Sequence, residues 1–155
     1  MKRRTLIISV IAVVVIVLIA GGVAYFTRQG GGNENEIKIG AIYSQTGAAA
    51  SIGKSSLQGA QLAVAEINAQ GGIKGRKIML IVEDGRSNPT DAASACQKLM
   101  TVDAVSVIVG PASSSLALAC APLANRNKVV LLSTGAGTPA YSSPDDYTFR
   151  NWLSA

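Results

Sequence analysis

The sequence predicts an α/β fold, an open doubly wound parallel sheet preceded by one N-terminal transmembrane helix. Four short apolar runs recur between residues 37 and 133, separated by longer segments of helical periodicity. Their near-continuous apolar character is that of parallel strands covered on both faces. Ahead of them, Leu6 to Phe26 carries no charge over 21 residues, enough for a helix that needs about 20 apolar residues to cross a bilayer.

Residues 1–4, with Lys2, Arg3 and Arg4, read as a cytoplasmic n-region, and residues 5–27 as a transmembrane anchor or a signal. Three cations before the span and Arg28 after it orient the rest of the chain outward. A cleaved signal is the competing reading, because Ala20, Gly21, Gly22 and Ala24 offer small residues near its end; against it, the apolar region is longer than the usual 7–15 residues. Residues 28–36 (RQGGGNENE from Arg28) have no hydrophobic side chain to bury and read as a flexible linker.

The remaining 37–155 form the outward domain. Strands are expected at Ile37–Tyr43, Lys77–Glu83, Ala104–Val109 and Lys128–Ser133, with a possible fifth at Tyr147–Asn151. A first helix spans about Gly53 to Gln70, with Leu57, Ala60, Val64 and Ile67 as its sheet-facing stripe. The second starts with Asn88 as N-cap and Pro89 at the first helical position, and buries Ala92, Ala95, Cys96 and Leu99. The third starts near Ser114 and contains Pro122, which should bend it or end its first half. The order βαβαβαβ is that of a Rossmann-like sheet with right-handed crossovers.

Composition removes several functions. The chain has no His and only two Cys, so the usual zinc ligands, nucleophile pairs and His general bases are missing, and no metal site, cofactor or enzyme activity is expected. The net charge of +5 is concentrated at the membrane-flanking end; beyond residue 30 there are 10 basic and 9 acidic side chains. That balance, without a basic patch interleaved with aromatics, argues against nucleic acid. Gly47 to Ser55 (GAAASIGKS) approaches a phosphate-binding loop, but five residues separate Gly47 from Gly53 where that loop needs four.

In open α/β sheets ligands bind beyond the carboxyl ends of the strands. That rule selects Ser44–Gly53, Asp84–Asn88, Gly110–Ser115 and Ser133–Thr138, mostly small and polar residues. Ser113, Ser114 and Ser115 sit at the start of the third helix, where free N–H groups favour an anion such as a carboxylate; a plain capping role is the alternative. Asp84, with no glycine fingerprint beside it, is expected to hold loop N–H groups. Cys96 and Cys120, on helices that successive crossovers place side by side, are either a disulfide or two buried thiols.

The stretches IKIGAIYSQTGAAASIG, GAQLAVAEINAQGGIKGRKIMLIVEDGRSNP, VIVGPASSS, VVLLSTGAG and YTFRN together resemble the first lobe of the leucine/isoleucine/valine-binding proteins, type I periplasmic substrate-binding proteins of ABC transporters for branched-chain amino acids and amides. The resemblance implies a small-molecule ligand, an amino acid or amide, bound without chemistry and delivered to an ABC permease. With the N-terminal span it gives a membrane-held domain facing the periplasm or cell exterior, with a receptor or sensor ectodomain of the same fold as the alternative. The resemblance places the ligand's head group at Ser114, Gly135 and Gly137, with Ile52 in the first loop; together with their loop neighbours Ser113, Ser115, Ser133, Ala136 and Thr138 these form the candidate site. Gly137 departs from the family's usual Thr, and Ile52 stands where some members carry an aromatic residue. Family members are roughly twice as long, with a second lobe that closes over the ligand.

Overall fold

The computed structural model describes residues 35–141, 143 and 145–154. The expected n-region, transmembrane segment and nearly all of the linker lie outside the described residues. Among the described residues, no helix is long and apolar enough to cross a membrane.

Five strands, β1 (Glu36–Tyr43), β2 (Lys77–Asp84), β3 (Val107–Val109), β4 (Val130–Ser133) and β5 (Thr148–Arg150), form one sheet in the order β2-β1-β3-β4-β5. Every pairing is parallel. The helices are α1 (Ala50–Ala69), α2 (Pro89–Thr101) and α3 (Ser114–Asn127). Because β1 is flanked by β2 on one side and β3 on the other, strand order reverses at β1/β3, the position where doubly wound sheets open a crevice.

The larger core lies between the sheet and the pair α2 and α3. Ile42, Ile108 and Leu131 meet Leu99, Cys96, Leu116 and Cys120 there, all but Leu116 completely excluded from solvent. Each large aliphatic side chain so buried contributes about 1.5–3 kcal/mol. Cys96 and Cys120 are joined as a disulfide with Cα atoms 5.9 Å apart, which resolves the choice between a bridge and two thiols. Asn88 caps α2 as expected: its Oδ1 accepts from Thr90 N–H at 2.8 Å and Asp91 N–H at 3.3 Å.

The opposite face is covered less than the apolar strands led us to expect. Helix α1 packs Leu57 on Ala41 and Tyr43, but further along its stripe Ile67 is 37% exposed. Over β3, β4 and β5 this face carries Val107, Val109, Val130 and Leu132 half-buried and Phe149 exposed. The cause is topological. Among the described residues only the β1-to-β2 crossover puts a helix on this side, and β4 reaches β5 through a short 3-10 turn, Pro139–Tyr141. The free end of α1 is tied instead to the edge strand, where the Asn68 carboxamide accepts from Ile78 N–H and donates to Ile78 O at 2.7 and 2.9 Å.

Other boundaries move for local reasons. Strand β3 starts at Val107 rather than Ala104, because Ala104 takes a left-handed φ of 54° and Val105 N–H closes back on Leu99 O. Strand β4 starts at Val130 because Lys128 is the left-handed C-cap of α3. Helix α1 begins three residues early, at Ala50. Helix α3 runs through Pro122 without ending: the carbonyl that proline leaves unbonded belongs to Leu118, 39% exposed, where water can satisfy it.

Candidate ligand site

The loops following β1 and β3 enclose a small cavity of about 90 Å³ lined by Ser44, Ala49, Ile52, Gly53, Ala112 and Ser113. It lies at the strand-order reversal. Helix α1 can start this close to β1 because residue 53 is glycine: a Cβ there would fall 1.9 Å from the Ser44 carbonyl oxygen. The loop after β4 closes in similarly, since a Cβ on Gly135 would stand 2.5 Å from Ala112 O. A cleft of about 250 Å³ lies beside the edge strand β2, lined by Glu83, Asp84, Arg86, Asp91, Ser94, Ala95 and Lys98. Its Glu83 and Lys98 are already paired at 2.6 Å.

The wall formed by the first loop is held from outside by the loop after β2. Asp84 accepts from Gln45 N–H (2.8 Å), Thr46 Oγ1 (2.7 Å), Thr46 N–H (3.4 Å) and Arg86 N–H (2.8 Å). Burial alone would push its carboxyl up, but these bonds to the ionised form outweigh it and hold the group below its ordinary value. Ser87 Oγ accepts from Ala49 N–H and donates to Thr46 O, and Ser44 Oγ accepts from Ser87 N–H. Asp84 thus does the loop-holding work expected of it.

The three consecutive serines divide their roles. Ser113 occupies the N-cap position of α3, yet its side chain caps nothing. Its Oγ is buried with no hydrogen-bond partner among the described residues. Thr134 Oγ1 is likewise buried without a well-formed bond, but the Tyr43 phenol lies beside it: burial pushes that phenol up, and the Thr134 hydroxyl partly opposes the shift. Of the two, Ser113 is the one on the cavity lining. With no capping side chain, the N–H groups of Ser114, Ser115 and Leu116 are also free of intrahelical partners. Ser114 Oγ accepts from Gly137 N–H at 3.1 Å and Thr138 N–H at 3.4 Å, pinning the loop after β4 to the helix start. Ser115 is exposed on the first turn.

Two residues of the expected site belong to the core instead. Ser133 is fully buried; its Oγ donates to Pro111 O at 2.7 Å and accepts from Gly135 and Ala136 N–H. Ala136 is also fully buried, packed in the cluster beneath α3. Both shape the loop from below and present no side chain to a ligand. Gly135, Gly137 and Thr138 remain on the loop's accessible side, and Ile52, 66% exposed, lines the cavity mouth. Ser44, Ala49 and Ala112 join the lining; the strand-end rule marks their loops, but which residues turn inward depends on the clasp from Asp84 and Ser87.

A buried hydroxyl on the cavity lining, next in sequence to free helix N–H groups, suits a carboxylate or amide oxygen. The family model for periplasmic binding proteins matches residues 36–153. The Leu/Ile/Val-binding protein BraC3 of Rhizobium johnstonii is 36% identical over 110 residues, 71% of this chain and 28% of the relative. The branched-chain amino acid transporter substrate-binding protein LivJ of Streptococcus pneumoniae, solved with isoleucine, superposes with a TM-score of 0.74 at 38% identity, over 77% of this chain and 34% of that one. A solute-binding protein of an ABC transporter from Rhodopseudomonas palustris, solved with 3,4-dihydroxybenzoic acid, superposes at 0.65 with 34% identity, over 78% and 33%. The chain thus spans about a third of the length of these relatives.

Proposed function

The chain belongs to the periplasmic binding protein family, a family of non-enzymatic solute binders, and from that premise we propose that it is the first lobe of an extracytoplasmic solute-binding protein serving an ABC permease. Its ligand is a small amino-acid-like or amide molecule held reversibly, with no bond made or broken. The observation that carries this reading is the buried Ser113 hydroxyl, unpartnered beside uncapped N–H groups at the strand-order reversal. A buried hydroxyl without a partner costs about 1–3 kcal/mol, and a ligand oxygen at this point would recover it. Isoleucine and 3,4-dihydroxybenzoic acid, the ligands of two similar structures, share a carboxylate, the group this corner suits.

The Cys96–Cys120 bridge supports an oxidising, extracytoplasmic setting. Residues 5–27 would then be the anchor or signal that brings the domain there, and 37–155 the first lobe of a two-lobed binder. One lobe leaves its ligand open to water, so affinity should be about millimolar, near −4 kcal/mol. Titrating the chain with L-leucine, L-isoleucine and acetamide while following backbone amide resonances tests the reading. Saturable shifts confined to Ser113–Leu116 and Gly135–Thr138 are the expected result. Spectra unchanged at saturating millimolar concentrations, or shifts confined to the β2 cleft, would refute it.

A further inference from the structure

Beyond β5 the chain runs on beside the loop that follows β4. Asn151 N–H donates to Ser133 O at 3.3 Å, and the Arg150 guanidinium donates to Thr138 O at 2.6 Å and Ala136 O at 3.5 Å. These bonds hold the segment against the loop that Ser114 Oγ pins from the other side. They bring Trp152 to Gly137: a Cβ on that glycine would lie 3.7 Å from indole Cδ1, 3.9 Å from Nε1 and 3.6 Å from Leu153 O. Gly137 has no positive φ, so its backbone does not demand glycine. What glycine supplies is room in front of the indole.

Trp152 is the only tryptophan among the 155 residues, and it is 60% exposed. A large aromatic surface left open beside a binding loop is the kind of group that holds ligands. Contacts connect it to the polar end of the site, since Gly137 N–H bonds Ser114 Oγ at 3.1 Å and Ser114 follows Ser113. On the solute-binding reading above, we propose that Gly137 and Trp152 form the specificity-determining apolar end of the site. The α3 N-terminus takes a carboxylate or amide, and the open space at Gly137 lets a flat aromatic group on the same ligand rest against the indole. A side chain at 137 would occupy that space, and the site would then favour compact aliphatic ligands.

The test uses the full chain with benzoate, benzamide and L-leucine as probes, followed by calorimetry and by Trp152 fluorescence. Expected are saturable heat with at least one aromatic probe and a matching change in indole emission. Trp152→Leu and Gly137→Thr should each weaken that probe by roughly tenfold more than they weaken L-leucine. Both variants are expected to fold, one replacing an exposed side chain and the other entering ordinary van der Waals space. Heat with unchanged emission, or equal losses for aromatic and aliphatic probes, overturns the role of Trp152 and leaves the solute-binding reading standing. No heat with any probe, together with unmoved resonances at Ser113–Leu116, overturns both.

Discussion

Replacing Cys96 and Cys120 together with alanine removes a cross-link between two helices that lie on the same face of the sheet. The two residues are separated by 24 positions and both are fully buried. Closing a loop of that length lowers the entropy of the unfolded chain by an amount worth about 3.5 kcal/mol at 25 °C. For a domain of roughly 120 residues the entropy of unfolding near the midpoint is about 0.25 kcal/mol/K, so the melting temperature should fall by ~14 °C. Urea denaturation of the oxidised protein and the double variant measures this directly. The variant's midpoint should fall and its m-value rise, because the uncross-linked unfolded chain exposes more surface. Equal midpoints, or two reactive thiols in the denatured and unreduced wild type, would refute the reasoning.

The glycines of the β4 loop should separate cleanly. Gly135→Ala drives a methyl to 2.5 Å from Ala112 O and should cost about 1–3 kcal/mol, whereas Gly137→Ala meets nothing closer than 3.6 Å and should stay within about 1 kcal/mol of wild type or gain stability; thermal melts of both decide it. Asp84 has a lowered folded value, so its contribution is present above the ordinary 3.8 and is lost as pH falls through the folded value. Asp84→Asn should destabilise by about 1–3 kcal/mol at neutral pH and flatten the acid limb of a stability-against-pH curve; an unchanged acid limb would remove the loop clasp from the account. Burial raises the Tyr43 and Tyr141 phenols above their ordinary 10.0, so their contribution is present below about pH 10 and lost as pH rises toward their folded values. Tyr141→Phe, which forfeits the 3.0 Å bond to Leu131 O, should cost about 1 kcal/mol and soften the alkaline fall in a denaturation series.

Where sequence chemistry is local, the fold was readable. Asn88 before Pro89 marks the start of α2 because the side chain and the missing proline N–H act within one turn. The apolar runs identify strands, and their order with the helices yields the doubly wound sheet and sets Cys96 and Cys120 side by side, without deciding whether they are bonded. Less legible were features decided by the third dimension. Pro122 reads as a break, yet α3 continues because the carbonyl it orphans is near water. Buried-strand composition implies cover on both faces, but among the described residues only α1 lies on the Leu132 and Phe149 side, and it stops over β1 and β2. Within the site, the cluster Ser113–Ser115 is visible as a hydroxyl-rich helix start. That Ser113 is the unanswered hydroxyl while Ser114 is spent on Gly137 and Thr138 depends on how the β4 loop folds back. Ser133 and Ala136 look equivalent to their neighbours in sequence and are buried because that loop turns over Pro111. Trp152 carries no motif at all; its place beside Gly137 comes from bonds made by Arg150 and Asn151.

The most direct measurement is calorimetry on this lobe joined to the second lobe of a two-lobed relative, with L-leucine and small amides as titrants. Ser113→Ala is the informative variant, because its hydroxyl makes no bond to any other described residue that the substitution could break. A saturable heat in the parent, lost or weakened at least tenfold in a Ser113→Ala protein of unchanged stability, is the outcome expected of a carboxylate or amide held at the α3 N-terminus. The same affinity in parent and variant, with the stability equally unchanged, would contradict it.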